Sequence, residues 1–509
     1  MTDNYNVLFI ITDQQRADHL GCYGNKILKT PNIDGLAKDG VRFTSAFCAN
    51  PMCMPNRASI YTGTYPNVHG VRMNGINLPS NIPTLTQILT KNGYHTISIG
   101  KIHFQHYSPP RKRNKKSLEC IMNWIDDKKR KELENNFPLP YYGFEEVELT
   151  IGHGDLVSGH YFSWLEEKAP NYLEYMRTRL NSWFLLMRNL FDDTQLPEEV
   201  YPTAYLKDKT ISFLQDYAAG NYGDKPFFLQ CSFPDPHHPA TPPEKYKKLY
   251  EPSNMELPDN FHDIENLKNH PFLKHNLKLK EKGKSLFSLK TVDDVKKFMA
   301  YTYGTITNID SGIGEILSTL NRTGLSENTI VIYTSDHGEL MGEHGLTTKG
   351  PYPFKGILKV PLIWRVPGMA KNKVINSLVN SIDITKTLTN LLKIRDLQFK
   401  KQLQGCDLTP MLENPNQKIR NSCLIEEDEA GGFLTARVRH LITEKYKLTI
   451  YEGLRNHGDL YDRKNDPNEI NNLWYNKNYR EIREKLVKEM LHELLKVQSR
   501  YPEKQGDLI

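Results

Sequence analysis

Five short runs of β-branched and aromatic residues, separated by helical patterns, constrain the fold of this chain more than any other feature. Val7-Leu8-Phe9-Ile10-Ile11-Thr12 is continuously apolar up to its last residue. A strand with one wet face would alternate, so this run predicts a strand buried on both sides in a parallel sheet. Similar runs recur at Thr96 to Ile99, Pro226 to Ser232, Thr329 to Thr334 and Val360 to Arg365. Helical patterns lie between them, at Asn32 to Lys38, Thr84 to Lys91, Thr203 to Ala218 and Met299 to Leu320. The alternation predicts an α/β fold: a doubly wound, mostly parallel sheet with helices on both faces, which binds ligands at the carboxyl ends of its strands.

Chemistry-bearing residues stand at those ends. The first run leads into Asp13-Gln14, the second into Gly100-Lys101-Ile102-His103, and the fourth into Ser335-Asp336-His337-Gly338. Pro226 to Ser232 leads into Pro234-Asp235-Pro236-His237-His238-Pro239. A catalytic rim needs such residues, whereas core strands alone do not.

The 509 residues allow one large core and a smaller second one. We expect a main domain over 1–410, with polar, Lys-rich insertions without a strong strand pattern at 105–200 and 240–295. A C-terminal subdomain over 411–509 should hold antiparallel strands, read from Phe433 to Tyr451, and a helical Glu469 to Val497. The net charge of +6 is small, and the basic stretch between Arg111 and Arg130 reads as a solvated insertion with no nucleic-acid module beside it. Seven irregularly spaced cysteines without a C-x-x-C pair, a start without a basic leader and apolar stretches far too short to span a bilayer predict a cytoplasmic protein with no membrane partner.

Cys53 lies in Asn50-Pro51-Met52-Cys53-Met54-Pro55-Asn56-Arg57, ahead of an expected helix from Asn56 to Thr62. A group at that position meets unsatisfied amides, the positive end of the helix dipole and Arg57, a setting suited to an anion. The plain alternative is a small buried apolar cysteine.

Taken in order, the motifs resemble those of the type I sulfatases of the alkaline phosphatase superfamily. They are Asp13-Gln14 with Thr30-Pro31-Asn32, Cys53-x-Pro55-x-Arg57 with Thr62-Gly63, Gly100-Lys101-x-His103, Ser335-Asp336-His337-Gly338 with Lys349, and Leu460-Tyr461-Asp462 through Asn472-Leu473. The resemblance implies an alkaline-phosphatase-like fold and a sulfuric ester hydrolase whose Cys53 is oxidised by a maturation enzyme to formylglycine. Its hydrated aldehyde would be the nucleophile.

Asp13, Gln14, Asp336 and His337, together with residue 53, would then hold a divalent cation. Ca²⁺ is the first choice, with Mn²⁺ or Mg²⁺ behind it. Arg57 would orient the nucleophile, and Lys101 and Lys349 would hold sulfuryl oxygens. His237 would protonate the leaving alcohol, with His238 as its fallback. His103 would regenerate the aldehyde, and Asn74 would line the substrate pocket or simply turn the chain before Gly75. Asp-Gln and Asp-His in place of the Asp-Asp and Asp-Asn of many sulfatases also resemble choline sulfatases and the phosphonate monoester and phosphodiester hydrolases. The expected substrate is a sulfate ester of a small molecule or saccharide. The alternatives are a phosphonate monoester or phosphodiester, or a silent protein that binds sulfated ligands.

Overall fold

The computed structural model describes residues 5–109, 116–271, 273–274, 291–428 and 437–498. The central sheet has nine strands among the described residues, in the order Lys373–Ile375, Val41–Phe43, Leu362–Arg365, Thr329–Ser335, Asn6–Thr12, Phe227–Ser232, His95–Gly100, Glu146–His153 and Leu156–Gly159. The five from Thr329–Ser335 to Glu146–His153 pair in parallel. Every residue of Asn6–Thr12 and of Thr329–Ser335 is buried, so both faces of the pleat are covered, as a continuously apolar strand requires. Their carboxyl ends therefore open on one edge.

Several sequence-based boundaries move. The insertion 105–200 contributes two strands, Glu146–His153 and Leu156–Gly159, to the main sheet. Glu146, Glu148 and Thr150 alternate with Val147, Leu149 and Ile151, so the period of two was present but hidden by charge. Val360 to Arg365 yields only Leu362–Arg365, antiparallel to its neighbour, since Pro361 has no amide for the ladder. Its end points away from the other four, which is why no reactive cluster follows it.

The expected Met299 to Leu320 helix is longer, Val292–Arg322, because Thr291 and Asp294 form a capping box ahead of it. The helix at Cys53 begins at Cys53 itself, three residues before Asn56, because a proline is tolerated in the first turn where its missing amide would be unpaired anyway. Of the basic stretch, residues 110–115 lie outside the described residues. Arg130 is not a surface cation: it is buried and paired with Asp127 and Glu166 at 3.0 Å each.

A second sheet of four antiparallel strands, Ser422–Glu427, Val438–Thr443, Tyr446–Tyr451 and Gly458–Asp462, is followed by the helix Arg480–Lys496. The helix is shorter than the stretch Glu469 to Val497, whose start is irregular. Leu424, Leu441, Leu448 and Leu460 face Leu486 and Met490. The opposite face, with Cys423, Ile425, Val438 and Ile442, packs on Leu340, Leu346, Phe354 and Ile357 of the loop that carries Lys349.

Candidate active site

The site is assembled at the carboxyl edge of the parallel strands. Asp13 and Gln14 follow Asn6–Thr12, Lys101 and His103 follow His95–Gly100, and His237 and His238 follow Phe227–Ser232. Asp336 and His337 follow Thr329–Ser335. Cys53 enters from beneath, at the first position of a ten-residue helix that is buried throughout.

The Cys53 thiol is the meeting point. Its Sγ lies 2.8 Å from Lys349 Nζ, 3.2 Å from His337 Nε2 and 3.6 Å from Asp13 Oδ1. Burial, with the Asp13 carboxylate beside it, pushes the thiol up to about 11, so it is protonated at neutral pH and is a poor nucleophile as encoded. Lys349 Nζ also touches His337 Nε2 at 3.0 Å and His237 Nε2 at 3.1 Å. A single cationic atom thus sits among lone pairs from a thiol and two imidazoles.

Arg57 stands behind the carboxylates. Its guanidinium donates to Asp336 Oδ2 at 2.8 Å, Ser232 Oγ at 2.9 Å and Lys101 O at 3.0 Å, and lies 3.5 Å from Asp13 Oδ2. Lys101 pairs with Asp13 Oδ2 as well. Burial alone would raise Asp13, but Lys101 and then Arg57 hold its carboxyl well below the usual range. Three cationic side chains against two carboxylates leave the pocket positive, which suits a tetrahedral anion.

The histidines are held neutral. Burial, then His153 and Lys349, keeps His237 well below its ordinary value, and burial keeps His337 down at about 4 and His238 at about 3. His237 Nδ1 faces the His238 carbonyl at 2.6 Å, so its proton is on Nδ1 and the lone pair on Nε2 points at Lys349. His238 turns the other way, with Nδ1 3.0 Å from Gln14 Nε2.

His103 has φ 61°, and a buried Glu119 that accepts from the amides of His103, Phe104 and Gln105 holds it in that left-handed turn. Its ring stacks on Tyr107 at 3.8 Å, and its Nδ1 is buried without a hydrogen-bond partner. Asn74 Oδ1 accepts from the Met54 amide at 3.1 Å and so caps the first turn of the Cys53 helix.

One residue escaped the sequence reading. His153 ends the strand Glu146–His153, lies 2.9 Å from Lys101 Nζ and stacks on His237 at 3.7 Å between ring centres. A His at the end of the alternating Val147, Leu149, Ile151 pattern was the available signal.

The donor set fits a divalent cation. The ligand atoms of Asp13, Cys53, Asp336 and His337 all lie within 4.8 Å of one another, and Gln14 Oε1 is buried without a partner. Carboxylate and amide oxygens with one imidazole match a hard or borderline ion.

Comparison with known proteins places these features together. A sulfatase family model matches residues 5–394, and a model of the C-terminal part of N-sulphoglucosamine sulphohydrolase matches 342–496. The chain is 31% identical to an uncharacterized sulfatase of Escherichia coli K12, covering 99% of this chain and 90% of that protein. It is 29% identical to the arylsulfatase of Clostridium perfringens, over 95% of this chain and 94% of the other. The crystal structure of a phosphonate monoester hydrolase from Agrobacterium radiobacter superimposes with a TM-score of 0.77 at 25% identity, covering 98% of this chain and 97% of that one. An alkaline-phosphatase-like sheet that gathers these side chains around Cys53, and a family match over most of its length, make this chain a sulfuric ester hydrolase of the sulfatase family.

Proposed function

We propose that the protein cleaves a sulfate monoester to alcohol and sulfate by way of a formylglycine made from Cys53. The position of Cys53 Sγ carries this reading: it stands at a helix N-terminus, against Lys349 and His337 and beside Asp13. As a thiol held up at about 11 it is mute, whereas oxidised to the aldehyde and hydrated it presents two hydroxyls at the same point.

Asp13, Gln14, Asp336 and His337, with residue 53, would hold the divalent cation, for which Ca²⁺ is our choice. When bound, the cation lowers the pKa of a neighbouring hydroxyl and polarises the ester's oxygens. Lys101 and Lys349 hold the nonbridging oxygens as point charges. Arg57 keeps the two carboxylates in place, and one hydroxyl of residue 53 passes its proton to Asp336 as its oxygen attacks sulfur. The departing alcohol takes its proton from His237 Nε2, which is charged when the anionic ester binds beside the ring, while Lys349, 3.1 Å away, keeps its own proton as a point charge. His103, a neutral imidazole whose Nδ1 is buried without a hydrogen-bond partner, accepts on a ring lone pair the proton of the second hydroxyl as the aldehyde re-forms and sulfate leaves. Asn74 acts on the helix end rather than on the substrate in this reading.

The substrate is a sulfate ester of a small molecule or saccharide, and seven unpaired cysteines support a cytoplasmic placement. No helix among the described residues is long and apolar enough to cross a membrane. Peptide mass spectrometry across Met52 to Arg57, on protein from the native host, tests the modification: an aldehyde in place of the thiol is expected, and thiol throughout refutes it. Rates on aryl sulfate, phosphonate monoester and phosphodiester then test the substrate class. A large preference for either phosphorus ester would assign the centre to that chemistry instead.

A further inference from the structure

A second cluster of metal-ligand type lies away from the catalytic edge, where the insertion 240–295 meets the C-terminal sheet. His270 follows the short helix Ile264–Leu267, while His457 and Asp459 flank the start of the strand Gly458–Asp462. All three are more than nine-tenths buried. His270 Nε2 lies 3.0 Å from Asp459 Oδ1 and 3.2 Å from His457 Nε2, and the third side, His457 Nε2 to Asp459 Oδ1, is 4.0 Å.

We propose that His270, His457 and Asp459 form a second metal site, for a borderline divalent cation of the zinc type, which pins the insertion to the C-terminal sheet. The three separations bracket the roughly 3.3–3.5 Å between neighbouring ligands on a tetrahedral zinc with bonds of about 2.0–2.1 Å. The fourth position is left to water. Two imidazoles exclude the hard cation of the catalytic centre and favour zinc.

Asp459 and His457 have the surroundings a metal ligand requires. Asp459 accepts from Tyr451 Oη and Asn472 Nδ2 at 2.5 Å each, which fixes the carboxylate, and His457 Nδ1 faces Tyr475 Oη at 2.9 Å, which leaves Nε2 free to coordinate. His270 Nδ1 now faces the Leu273 amide at 3.2 Å. With zinc on Nε2 the ring proton belongs on Nδ1, so the Leu273 amide has to turn away. A plain hydrogen-bonded cluster makes no such demand.

The pin has a mechanical reason to exist. The same insertion supplies Asp263 and Asn260, which hold both ring nitrogens of His344 at 2.7 and 3.0 Å, and His344 lies in the loop that carries Lys349.

The full-length protein, stripped with chelator and returned to saturating Ca²⁺ so that the catalytic centre is filled, is titrated with Zn²⁺. One tightly held zinc per chain is expected, with a raised thermal midpoint and faster hydrogen exchange in the peptide that contains Leu273. His457→Gln should lose the zinc and the midpoint rise while keeping the circular dichroism spectrum of the unaltered protein, which shows that the loss is of the site and not of the fold. Zinc-edge anomalous diffraction from zinc-soaked crystals of the unaltered protein decides without a variant: a peak between the three side chains supports the site. No peak there, no zinc retained beside Ca²⁺, or unchanged retention in the variant overturns it.

Discussion

Arg57→Met removes the buried guanidinium that lies between the carboxylates of Asp13 and Asp336, and its effect can be worked from the geometry. Arg57 makes a charge-assisted bond of 2.8 Å to Asp336, is 3.5 Å from Asp13, and also ties Ser232 and the Lys101 carbonyl to the site. A hydrogen bond to a charged group contributes about 1.5–3 kcal/mol, and stranding a buried partner costs about 3–5 kcal/mol. Lys101 and Lys349 still face Asp13 and the thiol, so these terms do not add fully. The expected loss is about 3–5 kcal/mol in urea unfolding at pH 7 with chelator present.

A divalent cation at the proposed ligands neutralises the same carboxylates, so saturating Ca²⁺ should recover about 1 kcal/mol or more of that deficit beyond its effect on the unaltered protein. Arg57→Lys should fall between, since it keeps the charge but loses the planar fork. A loss below about 1 kcal/mol with chelator, or a deficit that Ca²⁺ leaves untouched, would show that the carboxylates do not depend on Arg57.

His237→Gln should slow hydrolysis of alkyl sulfates by about 10²–10⁴-fold and that of aryl sulfates with acidic phenols far less; equal slowing across leaving groups would remove His237 as the proton donor. Burial holds His69 down at about 3, with its Nε2 on Ser59 Oγ at 2.9 Å and its Nδ1 accepting the Val71 amide. Below about pH 6.5 the unfolded chain takes a proton that the native state refuses, so stability falls with acidification, by about 2 kcal/mol for this group between pH 6.5 and 5. Urea midpoints at the two pH values should therefore converge in His69→Gln, and an unchanged pH slope would contradict it. His344→Ala frees Asp263 and loosens the loop of Lys349, so kcat should fall by about tenfold or more with little change in the fold seen by circular dichroism; a full kcat would mean that the loop is held otherwise.

Four of the five parallel strand ends were legible because each run is short, rich in β-branched and aromatic residues and free of charge, and the change to Asp-Gln, Gly-Lys, Pro-Asp or Ser-Asp marks where it leaves the core. The fifth was not. Glu146 and Glu148 open the strand with charge, and the residue that matters, His153, comes seven positions later. The start of the Cys53 helix was hidden by Pro55, which reads as a breaker but sits in the first turn where a proline loses nothing. Contacts such as Asp263 with His344, 81 residues apart, leave no local periodicity to read. Asn74 was legible as a residue near the site, but its partner, the Met54 amide, is set by how a loop folds back on a helix.

The second sheet belongs to the site as much as the first does. Its strands alternate, so one face is spent on the C-terminal helix and the other on the underside of the loop that carries Lys349. Its edge strand also accepts from Asn50 Nδ2 at the Glu426 carbonyl and donates the Glu426 amide to the Ala49 carbonyl, just ahead of Cys53. Lys447, buried from the same sheet, pairs with Glu469 at 2.5 Å and holds the Pro353 carbonyl. Lys349 and Cys53, brought to 2.8 Å from 296 residues apart, are thus both braced by one small sheet. Five loops from parallel strands can aim side chains at a point, but the strand ends alone do not fix the depth of Lys349 over Cys53. The apolar layer between the loop and the second sheet contributes to that distance, so a substitution at Ile425 or Ile442 is expected to reach Cys53 without touching it.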